Sequence, residues 1–226
     1  MTFFVFVDSN KIDIFAEIQN DMCMKNSVFF RSMTMGLFLI ALITPSSART
    51  IATNTEEIVS VELVQTSSSV KRQVQGYLDK AWQHYTRKEY TDALKWWRMA
   101  AKHNAPAAQY NIGLCYERGT GVKQDMKEAV AWYKKAANQN LPGAQYNLAY
   151  CYAEGKGVAQ DMKEAAKWWQ AAAEQGLAEA QYNLGWCYFH GHGVSQDYDK
   201  ALEWYRAAAE QGNDDAISAL AELGEQ

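Results

Sequence analysis

The feature that most constrains this chain is a repeat. "AAQYNIGLCYERGTGVKQDMKEAVAWYKKAANQN" starts at Ala107, "GAQYNLAYCYAEGKGVAQDMKEAAKWWQAAAEQG" at Gly143 and "EAQYNLGWCYFHGHGVSQDYDKALEWYRAAAEQG" at Glu179, a period of 36 residues. Cys115, Cys151 and Cys187 fall in register, as do Gly119, Gly155 and Gly191, and Trp132, Trp168 and Trp204. A period of this size marks a stack of supersecondary units, each unable to bury its apolar face alone. Upstream, "LDKAWQHYTRKEYTDALKWWRMAAKHN" (78–104) is an incomplete relative with a loop about five residues shorter, and "DDAISALAELGEQ" matches only the first half of a unit.

Each unit reads as two helices. Ala108, Ile112 and Tyr116 lie at i, i+4 and i+8 on one helical face. Gly119 follows the last periodic residue as a helix stop, and the Gly119-Thr120-Gly121 turn gives the backbone access to positive φ. Val122 is expected to tuck beneath that turn. Asp125 with Glu128 is the Asp form of a capping box, repeated by Asp161 with Glu164; Asp197 keeps the cap, but Lys200 cannot close the box. In the second helix Ala129, Trp132, Tyr133 and Ala136 form a broad apolar stripe. The predicted fold is all-α: a right-handed α-α superhelix, or solenoid, of helix-turn-helix repeats.

The recurring pattern A-x-x-x-L-G-x-x-Y-x-x-G-x-G-V-x-x-D-x-x-x-A-x-x-W-Y-x-x-A-A resembles the Sel-1-like repeat family, a branch of the tetratricopeptide superfamily. Three full copies carry it, and Ala149 departs mildly from the small Gly usual there. The short-looped first unit looks more like a plain tetratricopeptide repeat. The resemblance implies protein–protein interaction. Members often act as adaptors in membrane-associated or secreted complexes, and bacterial members include host-interaction and envelope proteins.

The predicted organisation follows. Residues 70–104 form the tetratricopeptide-like first repeat; 105–140, 141–176 and 177–212 form the Sel-1-like repeats; 213–226 form a capping helix. Ahead of these, residues 24–48 have a basic start (Lys25, Arg31), an apolar run from Met35 to Ile43 and small residues at Ser46-Ser47-Ala48, the pattern of a secretory signal peptide. The run is about half of the ~20 residues that a spanning helix needs. Residues 1–23 read as a misassigned start, with translation beginning at Met24, and 49–69 as a flexible linker. The expected location is periplasmic or secreted.

Helix one of each repeat presents a second side, which in the tetratricopeptide superfamily lines a concave groove. On it fall Tyr110, Asn111, Leu114 and Arg118; then Tyr146, Asn147, Tyr150 and Glu154; then Tyr182, Asn183, Trp186 and His190. Tyr and Asn recur, while Leu/Tyr/Trp and Arg/Glu/His vary. Asn111, Asn147 and Asn183 form either an amide ladder for a peptide backbone or hydrogen bonds that stiffen neighbouring repeats. The varying residues would set side-chain preference, aromatics being strong anchors. The expected partner is a protein or peptide.

Other chemistries find little support. The net charge of −4 and pI near 5.6 supply no electrostatic footprint for nucleic acid. Ser68-Ser69-Val70-Lys71 matches S-x-x-K, used by penicillin-recognising serine enzymes, without partner motifs or an α/β scaffold. Disulfide-rich relatives of the repeat family were once linked to penicillin binding, so a cell-envelope enzyme, or a penicillin- or peptidoglycan-binding protein, stands as the alternative. No enzyme, cofactor or metal is expected. Cys187, His190 and His192 cluster in "NLGWCYFHGHG", but Cys115 and Cys151 recur with no His nearby. A structural zinc site needs four ligands. The three repeat cysteines are expected to be buried and unbridged, and Cys23 to leave with the signal.

Overall fold

The computed structural model describes residues 67–224. The signal peptide read over 24–48, the start at Met24, Cys23 and most of the linker lie outside the described residues. The last three linker positions, 67–69, are already helical. Serine is common in a helix's opening turn, and the apolar positions Val74, Tyr77 and Leu78 packed on the core extend this helix back over the serines.

Among the described residues the chain is entirely helical, with a first helix α1 (67–86). Next come α2 (Tyr90–Ala101), α3 (Pro106–Arg118), α4 (Met126–Ala137), α5 (Pro142–Glu154), α6 (Met162–Ala173), α7 (Ala178–His190), α8 (Tyr198–Glu210) and α9 (Asp214–Glu222). Each helix from α3 onward packs on its neighbours in sequence, the arrangement of an α-α superhelix.

The helix boundaries follow the repeating sequence. Asp125 is extended and accepts from the backbone N–H groups of Lys127 and Glu128; Asp161 repeats this, and Asp197 accepts from Lys200 N–H. Such a cap contributes about 1 kcal/mol. The reciprocal half of the expected box is not made. The N–H of Asp125 donates to the Tyr116 carbonyl at 3.0 Å, and Asp161 and Asp197 donate to Tyr152 and Tyr188 at 2.9 Å. The loop folds the cap residue back onto helix one, so that helix supplies the acceptor the box predicted from Glu128. Gly119, Gly155 and Gly191 end the first helices in the left-handed conformation at φ 68°, 67° and 70°.

The second glycine of each loop joins one repeat to the one before. A Cβ on Gly121 would lie 2.6 Å from the Tyr90 carbonyl oxygen, and one on Gly157 or Gly193 would collide with the carbonyl of Met126 or Met162. Each loop thus presses backbone against backbone on the start of the preceding repeat's second helix. Side chains reinforce the stacking. Ile112, Leu148 and Leu184 are fully buried, and Trp168 packs on two successive core clusters, bridging repeats. The stripe on α4 is rotated slightly from expectation: Ala129, Tyr133, Ala136 and Ala137 are fully buried, while Trp132 is half-buried and packs on the preceding repeat's core.

A buried amide ladder runs through the stack, and it is made of glutamines. Gln109, Gln145 and Gln181 are nearly inaccessible. Gln139, Gln175 and Gln211 of the following second helix-ends donate to them at 2.8, 2.7 and 2.7 Å. Gln145 and Gln181 also donate to the Ala137 and Ala173 carbonyls at 3.4 and 3.3 Å, satisfying exposed ends of the preceding helices. The signal was present in the sequence, since the A-Q-Y-N string repeats its Gln as faithfully as its Asn.

Candidate functional site

One cleft, of about 510 Å³, lies along α2 and the Gly121-Val122 loop; three others involve the first helices. One, of about 390 Å³, lies between α5, α7 and the start of α6; its lining includes Tyr150, Glu154, Trp169, Asn183, Trp186 and His192. A smaller one of about 120 Å³ is formed upstream by Trp82, Trp97, Asn111, Leu114, Arg118 and Thr120. A third, about 250 Å³, lies against the C-terminal helix and includes Tyr182, Trp186, His190, Tyr205 and Glu222. Leu114, Arg118, Tyr150, Glu154, Tyr182, Asn183, Trp186 and His190 therefore line clefts, as does Asn111.

The recurring tyrosines and asparagines have a further part in joining repeats. Tyr110 is half-buried, with its ring 5.9 Å from that of Tyr133 and in position to meet any side chain placed on Gly143. Its hydroxyl pKa is raised by burial and drawn back by a hydrogen bond from Asn147. Tyr146 behaves alike: burial raises it, and Asn183 opposes through a hydrogen bond, Nδ2 to Oη, at 3.5 Å. Asn111 is buried and donates to the Ala107 carbonyl of its own helix at 2.9 Å. Asn147 and Asn183 thus bond to a tyrosine of the preceding repeat, as in the second of the two arrangements open from the sequence, whereas Asn111 bonds within its own helix and Asn183 also lines the first cleft. Tyr110, Tyr146 and Asn147 do not line the clefts described above.

The varying positions carry the exposed chemistry. Tyr150 is 40% exposed. Lys156, from the loop of the same repeat, donates to its hydroxyl at 3.0 Å and lies 4.4 Å from its ring centroid. In the next repeat His192 takes the place of Lys156, and its imidazole stacks on Trp186 at 4.7 Å with the planes 9° apart. His190 tilts against the same indole at 5.0 Å. In the sequence, His192 is considered only as a metal ligand and not as part of the groove; comparing it with Lys156 as a cover for the residue six before would have found it.

The floor of the clefts differs between repeats in a coordinated way. Trp97, Tyr133, Trp169 and Tyr205 occupy equivalent places. Tyr133 donates its hydroxyl to the Glu117 carboxylate. Where Trp169 stands, the residue equivalent to Glu117 is Ala153, and the indole Nε1 donors of Trp169 and Trp97 are both buried without a partner among the described residues. Trp97 lines the upstream cleft and Trp169 the largest first-helix cleft.

Cys115, Cys151 and Cys187 are free and buried, and burial raises their thiol pKa values to about 11, 11 and 12. Among the described residues no group of three or more His, Cys, Asp or Glu side chains is placed to hold a metal ion, and no helix is long and apolar enough to cross a membrane. Ser68 and Lys71 of the S-x-x-K string are both exposed on α1.

Comparisons with known proteins agree with this geometry. The Sel1 repeat model matches residues 80–104, 106–141, 142–177 and 178–213. The protective antigen c5321 of uropathogenic Escherichia coli, whose structure displays an SLR fold, is 40% identical; the match covers 73% of this chain and 36% of that one, with a TM-score of 0.65. A Sel1 repeat protein from Oxalobacter formigenes is 37% identical over 63% of this chain and 59% of its own, with a TM-score of 0.61. An ERAD-associated E3 ubiquitin-protein ligase component of Arabidopsis thaliana, HRD3B, is 38% identical over 52 residues, which is 23% of this chain and 9% of that protein. The chain thus spans less than two thirds of the length of each of these relatives.

Proposed function

The chain belongs to the Sel1 repeat family, and from that premise we propose that it is an exported interaction module that binds a peptide or protein segment in the groove of its first helices. Sel1 repeats build protein-interaction scaffolds, and the ligase component from Arabidopsis thaliana is by its name part of a larger assembly. The observation that carries the groove reading is the division of labour between positions. Of the recurring residues, Tyr110 with Asn147 and Tyr146 with Asn183 join one repeat to the next, whereas Leu114, Tyr150 and Trp186 vary from copy to copy and line open clefts. Among the described residues, Tyr150 packs on none of the three core clusters and is 40% exposed, while Trp186 packs on a core and lines two clefts as well. Large aromatics beside polar groups are the anchors that binding surfaces favour. Export rests on the signal-like sequence over 24–48.

The test is Tyr150→Leu with Trp186→Leu, a pair that copies Leu114 of the first Sel-1-like repeat, itself packed on a core cluster. Affinity capture from envelope extracts with the full chain should lose its specific partner in this variant while the helical circular dichroism and melting temperature stay near those of the parent. Capture that survives the double change would place binding elsewhere and contradict the proposal.

A further inference from the structure

The largest first-helix cleft has a chemistry of its own. Its walls are aromatic, Tyr150 on α5 and Trp186 on α7, and Glu154 stands on its rim. Other carboxylates act on the tyrosines of the same side: Glu179 and Asp215 on Tyr146, Asp215 and Glu222 on Tyr182. An aromatic face is electron-rich and attracts a cation, and a carboxylate beside it strengthens that preference.

The protein already shows what the wall accepts. Lys156 lies 4.4 Å from the Tyr150 ring centroid, with its ammonium donating to the hydroxyl. Lys156 itself is fully solvent-exposed, so nothing but this contact and nearby charge holds it there. The equivalent residue of the first repeat, Thr120, is neither cationic nor paired with an aromatic, since Leu114 stands opposite. Cation and aromatic therefore change together. The floor holds an unpartnered donor, as that of the upstream cleft does at Trp97. Trp169 is only 4% exposed, and its indole N–H has no acceptor among the described residues, an uncommon state for a buried donor.

We propose that this cleft recognises a basic side chain, lysine or arginine, of a partner polypeptide, with Tyr150 and Trp186 as its walls, Glu154 as its counter-charge, and Lys156, which lies on the Tyr150 ring, as an internal cation that competes for that ring. The aliphatic stem of such a side chain suits the apolar floor of Ala153 and Met162. This rests on the groove reading above and names the ligand class it implies.

The experiment follows the indole N–H resonances of the ¹⁵N-labelled full chain, with Trp169 and Trp186 assigned by single Trp→Phe changes. Tetra-arginine, tetralysine, tetraglutamate and tetranorleucine peptides are titrated at low ionic strength. The basic peptides should shift the Trp186 and Trp169 signals saturably, and the acidic and neutral ones should not. Glu154→Gln should weaken the basic peptides roughly five- to tenfold, the scale of one charge or cation–π contact. Lys156→Ala should tighten them by a similar factor, since the internal competitor is gone; a purely structural lysine would give no such gain. Shifts of the same indoles by tetranorleucine or tetraglutamate alone would overturn the basic preference while leaving the groove reading standing. Basic peptides that move neither indole, or that bind equally to the Glu154→Gln protein, would overturn the proposal itself.

Discussion

Gly113 of α3 lies directly against the ring of Tyr133 on α4: a Cβ at Gly113 would come within 2.6 Å of the ring carbons. The same relationship joins Gly185 to Tyr205, at 2.8 Å. In the intervening repeat Ala149 stands in place of the glycine and Trp169 in place of the tyrosine, and both are buried. The departure from the repeat pattern at 149 is thus half of a two-residue exchange across the helix pair.

Gly113→Ala tests this contact. The methyl group meets a ring held from behind by the core, so overpacking should cost about 1–3 kcal/mol. Ala149→Gly should cost less, about 1 kcal/mol, mainly through the backbone freedom of glycine in a helix. Urea denaturation of both variants measures the pair. A Gly113→Ala protein as stable as the parent would show that the helices separate freely here.

Glu117→Ala should leave the fully buried Tyr133 without an acceptor for its hydroxyl. An unsatisfied buried donor costs about 1–3 kcal/mol. Adding Tyr133→Phe to that variant should recover part of the loss, because the orphaned hydroxyl is then removed. A double-mutant cycle by thermal melting reads the coupling, and strictly additive losses would contradict the bond.

The buried thiols predict a response to alkali. Burial raises Cys115 and Cys151 from 9.0 to about 11, and Cys187 from 9.0 to about 12. A folded pKa above the unfolded one means that the native state holds the proton more tightly. This stability is complete below pH 9 and is lost as pH rises from 9 toward 12. The melting temperature should therefore fall over that window, and Cys187→Ser should change the slope. At pH 8 the thiols should react with a thiol reagent only as fast as the protein opens. Rapid labelling of the native chain would contradict their burial.

Much of this architecture was legible in the sequence, for an identifiable reason. Caps and stops are local: Asp125, Asp161 and Asp197 reach backbone N–H groups two or three residues on, and Gly119 is forced by φ alone. Long-range partners were not legible in this way. The Asp125 N–H finds Tyr116 rather than its expected box partner because the loop folds back nine residues, which no local pattern states. The site shows the same limit. Helical phase placed Leu114, Tyr150, Trp186 and the charged positions on the open side, where the structure has them. Phase could not separate a groove residue from one that packs on the next repeat, and Tyr110 and Asn147 belong to the second kind. Copy-to-copy variation adds what the wheel lacks, since Leu114, Tyr150 and Trp186 change and line clefts, although Asn111, Tyr182 and Asn183 recur and line them too.

The central claim is that the partner touches the first-helix groove, and site-specific photo-crosslinking measures that contact directly. A photoreactive phenylalanine is placed at Tyr150 in the groove or at exposed Lys134 on α4, and the full chain is irradiated in envelope extracts. The account predicts one dominant adduct from position 150, lost on Trp186→Leu, and none from position 134. An adduct from 134 with none from 150, or one from 150 that is indifferent to Trp186, would contradict it.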